Sequence, residues 1–198
     1  MKNENVGGLI YEIEVYDKNG KLIDRKKGKG NCILYNLMRI LATIRNPSDY
    51  SDTFQFKDTS GNPISADQIV ASGCSMLAPA GEDSYGIVVG TGTTNPSLDD
   101  YNLESKIPHG TGSGQLSYGD TTKYDYSESG SVVVDQGCQR SFDNNSGADI
   151  TVNEIGLIAT INIGGQNVNV LLMRDVISAT TIPNGGRLTV KYYIRWNG

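Results

Sequence analysis

A single histidine, three cysteines and scattered carboxylates are the chemistry-bearing side chains of this 198-residue chain. A Ser-His-Asp or Cys-His arrangement would have to run through His109, which sits in the turn-like run Pro108-His109-Gly110, and such arrangements are defined by geometry that spacing alone does not supply. Cys32, Cys74 and Cys138 stand far apart without a Cys-x-x-Cys, whereas zinc needs several Cys or His ligands at short spacing. The three read as buried free thiols of a chain made in a reducing compartment. Gly90-x-Gly92 and Gly110-x-Gly112-x-Gly114 resemble phosphate loops in composition. Neither carries Gly-Lys-Ser/Thr or leads into a helix whose N-terminus could hold an anion, so both read as turns between strands.

Two further patterns imitate sites. Asp143-x-Asn145-x-Gly147-x-Asp149, with Glu154 at the twelfth position, has the spacing of a calcium loop. That loop requires glycine at position six and an oxygen ligand at position five; here Ala148 and Gly147 stand there, between flanks that read as strands. Glycoside hydrolysis would need a carboxylate pair from Asp99, Asp100, Glu104 or the acidic residues around Asp125 and Glu128. Its geometry is a distance in space, and neighbouring acids in a glycine-rich loop read as solvated. The expectation is a non-enzyme with no catalytic, metal or cofactor site.

Composition points the same way. A net charge of −5 argues against nucleic acid or an anionic membrane as the main partner. The basic cluster Arg25, Lys26, Lys27 and Lys29 reads as a solvated strand end. The apolar stretch Cys32 to Ile44 is broken by Asn36 and Arg39, too short and polar to span a bilayer and too far in for a signal peptide. Apolar residues make up only 37% while glycine occurs 24 times, a balance that suits many short strands and turns. Gly81 to Asp149 is acidic, whereas Lys18 to Arg45 and Arg174 to Arg195 are relatively basic. Opposite signs on one chain suit contacts between copies or with sister subunits.

The elements that must position these residues are strands. Leu9, Tyr11, Ile13 and Val15 alternate with Ile10, Glu12, Glu14 and Tyr16. Asn19-Gly20 predicts a tight primed hairpin turn into Leu22 to Lys27. Cys32 to about Arg45 predicts an amphipathic helix, with Ile33, Leu34, Leu37, Leu41 and Ile44 on one face, Asn31 as cap and Asn46-Pro47 as stop. Residues 46–84 read as a loop-rich insertion or crossover, with a short strand at Phe54 to Lys57 and a turn at Ser60 to Pro63. Ile87 to Val89 is a buried strand, followed by a segment crossing a sheet edge. Further strands fall at Leu116 to Tyr126, Ser131 to Phe142, Ile150 to Ile163, Val168 to Val176 and Leu188 to Trp196. Along Ile150 to Ile163 the apolar parity switches at Asn153-Glu154, as at a β-bulge. One antiparallel β-sandwich domain over 1–198, jelly-roll-like and with one N-terminal helix, is the expected fold.

The string G-x-G-x-x-x-P-x-x-x-D-x-x-L-x-x-x-I, Gly90 to Ile107, resembles a signature in virion structural proteins of tailed bacteriophages and related viruses. Those proteins also carry a later I-T-E-x-G-L-like segment, an arginine strand and a short alternating C-terminal strand. Here these are Val152-Asn153-Glu154-Ile155-Gly156-Leu157, Leu171 to Asp175, and Leu188 to Tyr192. The resemblance covers the C-terminal three-fifths of the chain. It implies an accessory capsid, neck or tail protein of the virion, made in the host cytoplasm. Its partners would be other virion structural proteins and copies of itself in a homo-oligomer, without direct nucleic-acid or membrane contact. Tyr124, Tyr126, Tyr193 and Trp196 are then the candidate interface anchors, since aromatic residues supply interface hot spots. The rival reading is a carbohydrate- or receptor-binding module of a virion, because sandwich folds host both functions.

Overall fold

The computed structural model describes residues 8–30, 34, 36–37, 55–65, 74–127, 133–163 and 165–197. The protein is mainly β, with 60% strand, almost no helix, and antiparallel sheets. Among the described residues eleven strands follow in order: β1 (Gly8–Tyr16), β2 (Leu22–Lys29), β3 (Gln55–Lys57), β4 (Pro63–Ser65), β5 (Cys74–Ser75), β6 (Gly86–Gly90), β7 (Ser117–Ser127), β8 (Val133–Asp143), β9 (Ile150–Ile163), β10 (Gln166–Ile182) and β11 (Arg187–Asn197). A five-stranded sheet runs β2-β1-β11-β8-β7; in a second sheet β9 pairs with β10 on one side and with β5 and β6 on the other. β3 and β4 form a separate hairpin. The predicted helix Cys32 to Arg45 lies almost wholly outside the described residues; of its apolar face, Leu34 is buried and Leu37 packs on the core.

Buried side chains from β1, from β6 through β11 and from the loop residues Leu103, Ile107 and Leu116 form one apolar cluster. Removing that surface from water is the main driving force of the fold. Period-two alternation explains its membership: Ile13 and Val15 in β1, Cys138 and Phe142 in β8, Leu188 and Val190 in β11 are buried. Two turns differ from a two-residue primed hairpin. Asp17 Oδ1 accepts from the backbone N–H groups of Asn19 and Lys21, and Gly20 takes a positive φ. Asp58 does the same for Ser60 and Asn62, with Gly61 at positive φ. In both hairpins the aspartate satisfies the loop amides, and the first loop is longer than Asn19-Gly20 alone would dictate.

The parity switch expected at Asn153-Glu154 coincides with an irregularity in the β9–β10 ladder. Glu154 pairs with Val176 and Val152 with Thr180, leaving Ile177, Ser178 and Ala179 opposite Asn153 alone. The extra residues therefore belong to β10, which continues past Val176 to Ile182 because Thr180, Thr181 and Ile182 pair with Val152, Thr151 and Ile150 beyond the bulge. Lys26 of β2 reaches across from the first sheet and fastens this bulge. Its ammonium donates to the carbonyls of Ser178 (3.2 Å) and Ala179 (2.7 Å) and to Thr180 Oγ1 (2.8 Å). The rest of the basic cluster is exposed, as expected of a solvated strand end, although Arg25 also pairs with Glu12 and Glu14 and Lys27 lies 5.8 Å from the Tyr193 ring centre.

Arg140 is the most consequential residue of the first sheet. It occupies the inward parity of β8 and is 1% exposed. Its five N–H bonds meet five backbone carbonyls: Gly119 (2.8 Å), Tyr85 (3.1 Å), Ile87 (2.9 Å), Pro79 (3.2 Å) and Glu82. Its guanidinium also stacks over Tyr118, 4.8 Å from the ring centre. Burial pulls its pKa below the usual arginine value, yet guanidinium remains charged throughout the accessible pH range. Arg140 thereby pins the irregular run 79–87, which delivers β6 to the second sheet. Replacing it with leucine should lower unfolding stability by roughly 3–5 kcal/mol, because buried carbonyls lose their donors. Lysine, with three donors and no planar fork, should recover only part of it. Urea denaturation of Arg140→Leu and Arg140→Lys measures both, and a lysine variant as stable as the parent would refute the carbonyl count.

Candidate functional site

The Gly90–Ile107 segment is built around one carboxylate. Glu154 projects from β9 and is 0% exposed. Its Oε1 accepts from the backbone N–H of Gly92 (3.1 Å) and of Ser105 (2.7 Å); its Oε2 accepts from that of Glu104 (3.0 Å) and from Arg174 Nε (2.9 Å). Two bonds on each oxygen use the carboxylate's acceptor capacity in full. Arg174, on β10, then extends outward. Its Nη1 donates to Asp100 Oδ2 (2.7 Å), its Nη2 to the carbonyl of Thr94 (3.1 Å), and Glu104 lies 3.6 Å away. Burial works against the charge on Arg174, but the bonds to Asp100 and Glu154 outweigh it and hold its pKa above the ordinary value. Glu104 accepts from the backbone of Thr94, its hydroxyl and the backbone of Thr93, which keep it below the usual carboxylate range.

This centre explains the spacing of the glycines. A side chain on Gly90 would collide with Glu154 and the Ser105 carbonyl, and one on Gly92 with Glu154 and Glu104. Leu103 packs over Gly156 of β9, where a Cβ would strike it. The segment therefore covers the face of β9 that points away from the first sheet, in addition to crossing its edge. Five of the motif's six fixed positions have a physical occupation here: Gly90 and Gly92 make room, Asp100 caps Arg174, and Leu103 and Ile107 are buried, while Glu154 and Arg174 of the later segments hold the loop.

Above this base lies a cleft of about 530 Å³ bordered by Thr94, Asn95, Asp99, Asp100, Tyr101 and Arg174. Of the carboxylates considered for hydrolysis, Asp99, Asp100 and Glu104 are brought together here, Asp125 is elsewhere on β7, and Glu128 is outside the described residues. The calcium-like loop is not assembled: Asp143 accepts two hydrogen bonds from Arg187 (2.6 and 2.9 Å), Asp149 accepts from the backbone of Asn184, and Glu154 is committed to Arg174. His109 is exposed and holds a turn, its Nδ1 accepting from the Tyr118 backbone (3.1 Å) and its own N–H donating to Asp83 (2.7 Å). Among the described residues no group of three or more His, Cys, Asp and Glu side chains could hold a metal ion, and no helix is long and apolar enough to cross a membrane.

The aromatic candidates separate. Tyr193 and Tyr124 meet across Gly137, which pairs with both and leaves their rings 5.2 Å apart. Lys27, Arg195 and Tyr124 close over Tyr193, leaving it 2% exposed although it lies on the outward parity of β11. Tyr124 stays half-buried with Lys191 5.3 Å from its ring centre. Tyr126 and Trp196 lie on β7 and β11 with side chains outside the described residues. Sequence reasoning missed Arg140, Glu154 and Arg174 as the organising polar groups; their signal was a charged residue at an inward or fully apolar strand position. The cysteines also divide: Cys138 is buried, Cys74 is exposed rather than buried, and Cys32 is outside the described residues.

Comparison with protein-family models, with curated proteins and with solved structures found no match.

Substitution of Glu154 by glutamine should cost roughly 2–4 kcal/mol: Arg174 keeps Asp100 as a counter-charge, but the amide nitrogen that replaces one carboxylate oxygen faces N–H donors it cannot accept from. Replacing both Glu154 and Arg174 by leucine should not restore stability, because three backbone N–H groups lose their acceptor at about 1–3 kcal/mol each. Urea midpoints, with protease cleavage between residues 91 and 107 as a local readout, test this; a double variant as stable as the parent would overturn it. Separately, burial first and then the charge of Asp125 push the Cys138 thiol up to about 11. Partial burial raises the Cys74 thiol as well, so the contrast is one of access: at pH 8 iodoacetamide should modify the exposed Cys74 slowly and leave the buried Cys138 unmodified until the protein unfolds, as peptide mass mapping would show.

Proposed function

We propose that this chain is a non-enzymatic structural subunit of a virus particle of the tailed-bacteriophage type, an accessory part of capsid, neck or tail. In this reading the two sheets form a jelly-roll-like sandwich, and the subunit works through contacts with copies of itself and with other virion proteins. The observation that supports it is the occupation of the resemblance motif. Its charged and glycine positions converge on Glu154 and Arg174 and are consumed in holding a loop. A motif spent on shaping a surface suits a protein whose product is a surface. Rigid loops on a sheet scaffold are the usual carriers of recognition.

The contact face in this reading is the outer side of the five-stranded sheet around Tyr124, the aromatic ring that its neighbours leave half open. Tyr193, closed in beneath Lys27 and Arg195, acts as the support of that ring. Quantitative mass spectrometry of particles made from the genome that encodes the chain should find it in fixed stoichiometry with the other virion proteins. Light scattering of the purified protein should give a multimer that Tyr124→Ala weakens by about tenfold, the effect of losing one aromatic anchor. Absence from purified particles, or a monomer that binds no virion protein, would reject the proposal.

A further inference from the structure

We propose that the cleft beside Tyr101 is a binding site for a neutral sugar ring. The inference rests on the cleft alone and stands independently of the virion reading. Tyr101 is a large side chain left 41% exposed, at the rim of a 530 Å³ cavity that falls within the usual size for small-ligand sites, about 300–1,000 Å³.

Its ring is held in place. Gly61, in the β3–β4 hairpin, lies so close that a Cβ there would sit 3.2 Å from the Tyr101 ring. The next residue, Asn102, donates to the carbonyl of Thr59 in the same hairpin (3.0 Å). Beneath, Arg174 fixes Asp100, whose Oδ2 also accepts from the Ser97 backbone (3.0 Å). An anchored aromatic platform beside oriented acceptors is a preorganised site, which lowers the entropy cost of binding.

Charge selects the ligand class. Asp99, Asp100 and Glu104 around the cleft disfavour an anion. A cation meets positive charge already in place: Lys57 Nζ stands 5.8 Å from the Tyr101 ring centre and Arg174 lies at the base. The surviving class is neutral, rich in hydroxyl donors for the carboxylates and the Asn95 amide, with an apolar face for the ring. A pyranose has both, its axial C–H bonds lying against the tyrosine as an aromatic face accepts them. Exposed Asp99 and Asn95 would accept and donate to its hydroxyls.

The test is a titration of isotope-labelled protein with lactose, cellobiose, maltose and N,N′-diacetylchitobiose, followed by amide chemical shifts. Choline chloride and sodium phosphate serve as charged comparisons. At least one disaccharide should give saturable shifts confined to residues 57–61 and 94–104, with a dissociation constant of roughly a millimolar, as for a shallow single-ring site. Tyr101→Ala should weaken it about tenfold, the worth of one ring contact, while Tyr101→Phe keeps it. Tyr101 is at the surface, so both variants should retain the parent spectrum outside the cleft. Failure of all four sugars to saturate, binding that survives Tyr101→Ala, or tighter occupation of the cleft by choline or phosphate would overturn the assignment.

Discussion

An ionised carboxylate sealed from water must have its charge answered and its lone pairs filled, or it costs more than a small domain can supply. Glu154 meets that demand with one guanidinium N–H and three backbone N–H groups drawn from a segment with no regular structure of its own. The dependence is mutual. Gly92, Glu104 and Ser105 would otherwise present buried or half-buried amides without a strand neighbour, and the carboxylate gives all three an acceptor. The loop is therefore largely a tertiary product: Glu104 and Asp100 tie Thr93, Thr94 and Ser97 together within it, but where it lies on β9 follows from where that strand places one side chain.

The same logic recurs with opposite charge on the other side of β6. Arg140 gathers five carbonyls from the run 79–87 and from Gly119, as Glu154 gathers amides from the run after it. Between them, the stretch that has no ladder to satisfy its backbone is satisfied by two charged side chains planted on ladders. Lys26, holding the three-residue bulge of β10 from the far sheet, is a third case. Regular strands supply the apolar cluster; charged residues on those strands organise what the strands leave out. This division accounts for buried charges in a chain whose apolar fraction is modest.

How much of this could be read beforehand follows from the range of the interactions. β9 has the bounds that alternation and turn residues assign, Ile150–Ile163, because period-two burial and flanking glycines are local signals. The parity switch at Asn153-Glu154 was legible for the same reason, but its cause, two extra residues in β10 fastened by Lys26, is a property of a partner strand and of the other sheet. Tyr193 shows the limit most clearly. Alternation puts it outward correctly, yet Gly137 on the neighbouring strand opens the space into which Tyr124 leans, and the cations close over it. Arg140 shares its strand parity with Cys138 and Phe142, and Arg174 shares its own with Leu172 and Val176; a charge on an apolar parity, as with Glu154 after Val152, is more informative than the histidine and the acidic pairs. The amphipathic helix lies outside the described residues.

The arrangement also separates what must stay fixed from what is free to differ. Gly90, Gly92, Glu154 and Arg174 touch one another so closely that a change at any of them displaces the rest. Asn95, Asp99 and Tyr101, borne by the same loop, face the cleft and carry little of its stability. A surface substitution away from buried networks is usually worth under about half a kcal/mol. The rim of the cleft can therefore change its chemistry while the backbone beneath stays as it is. Such a loop is suited to presenting different surfaces from one scaffold, whether the surface meets another polypeptide or a small ligand, and the buried ion pair is what makes that exchange of outer residues harmless to the fold.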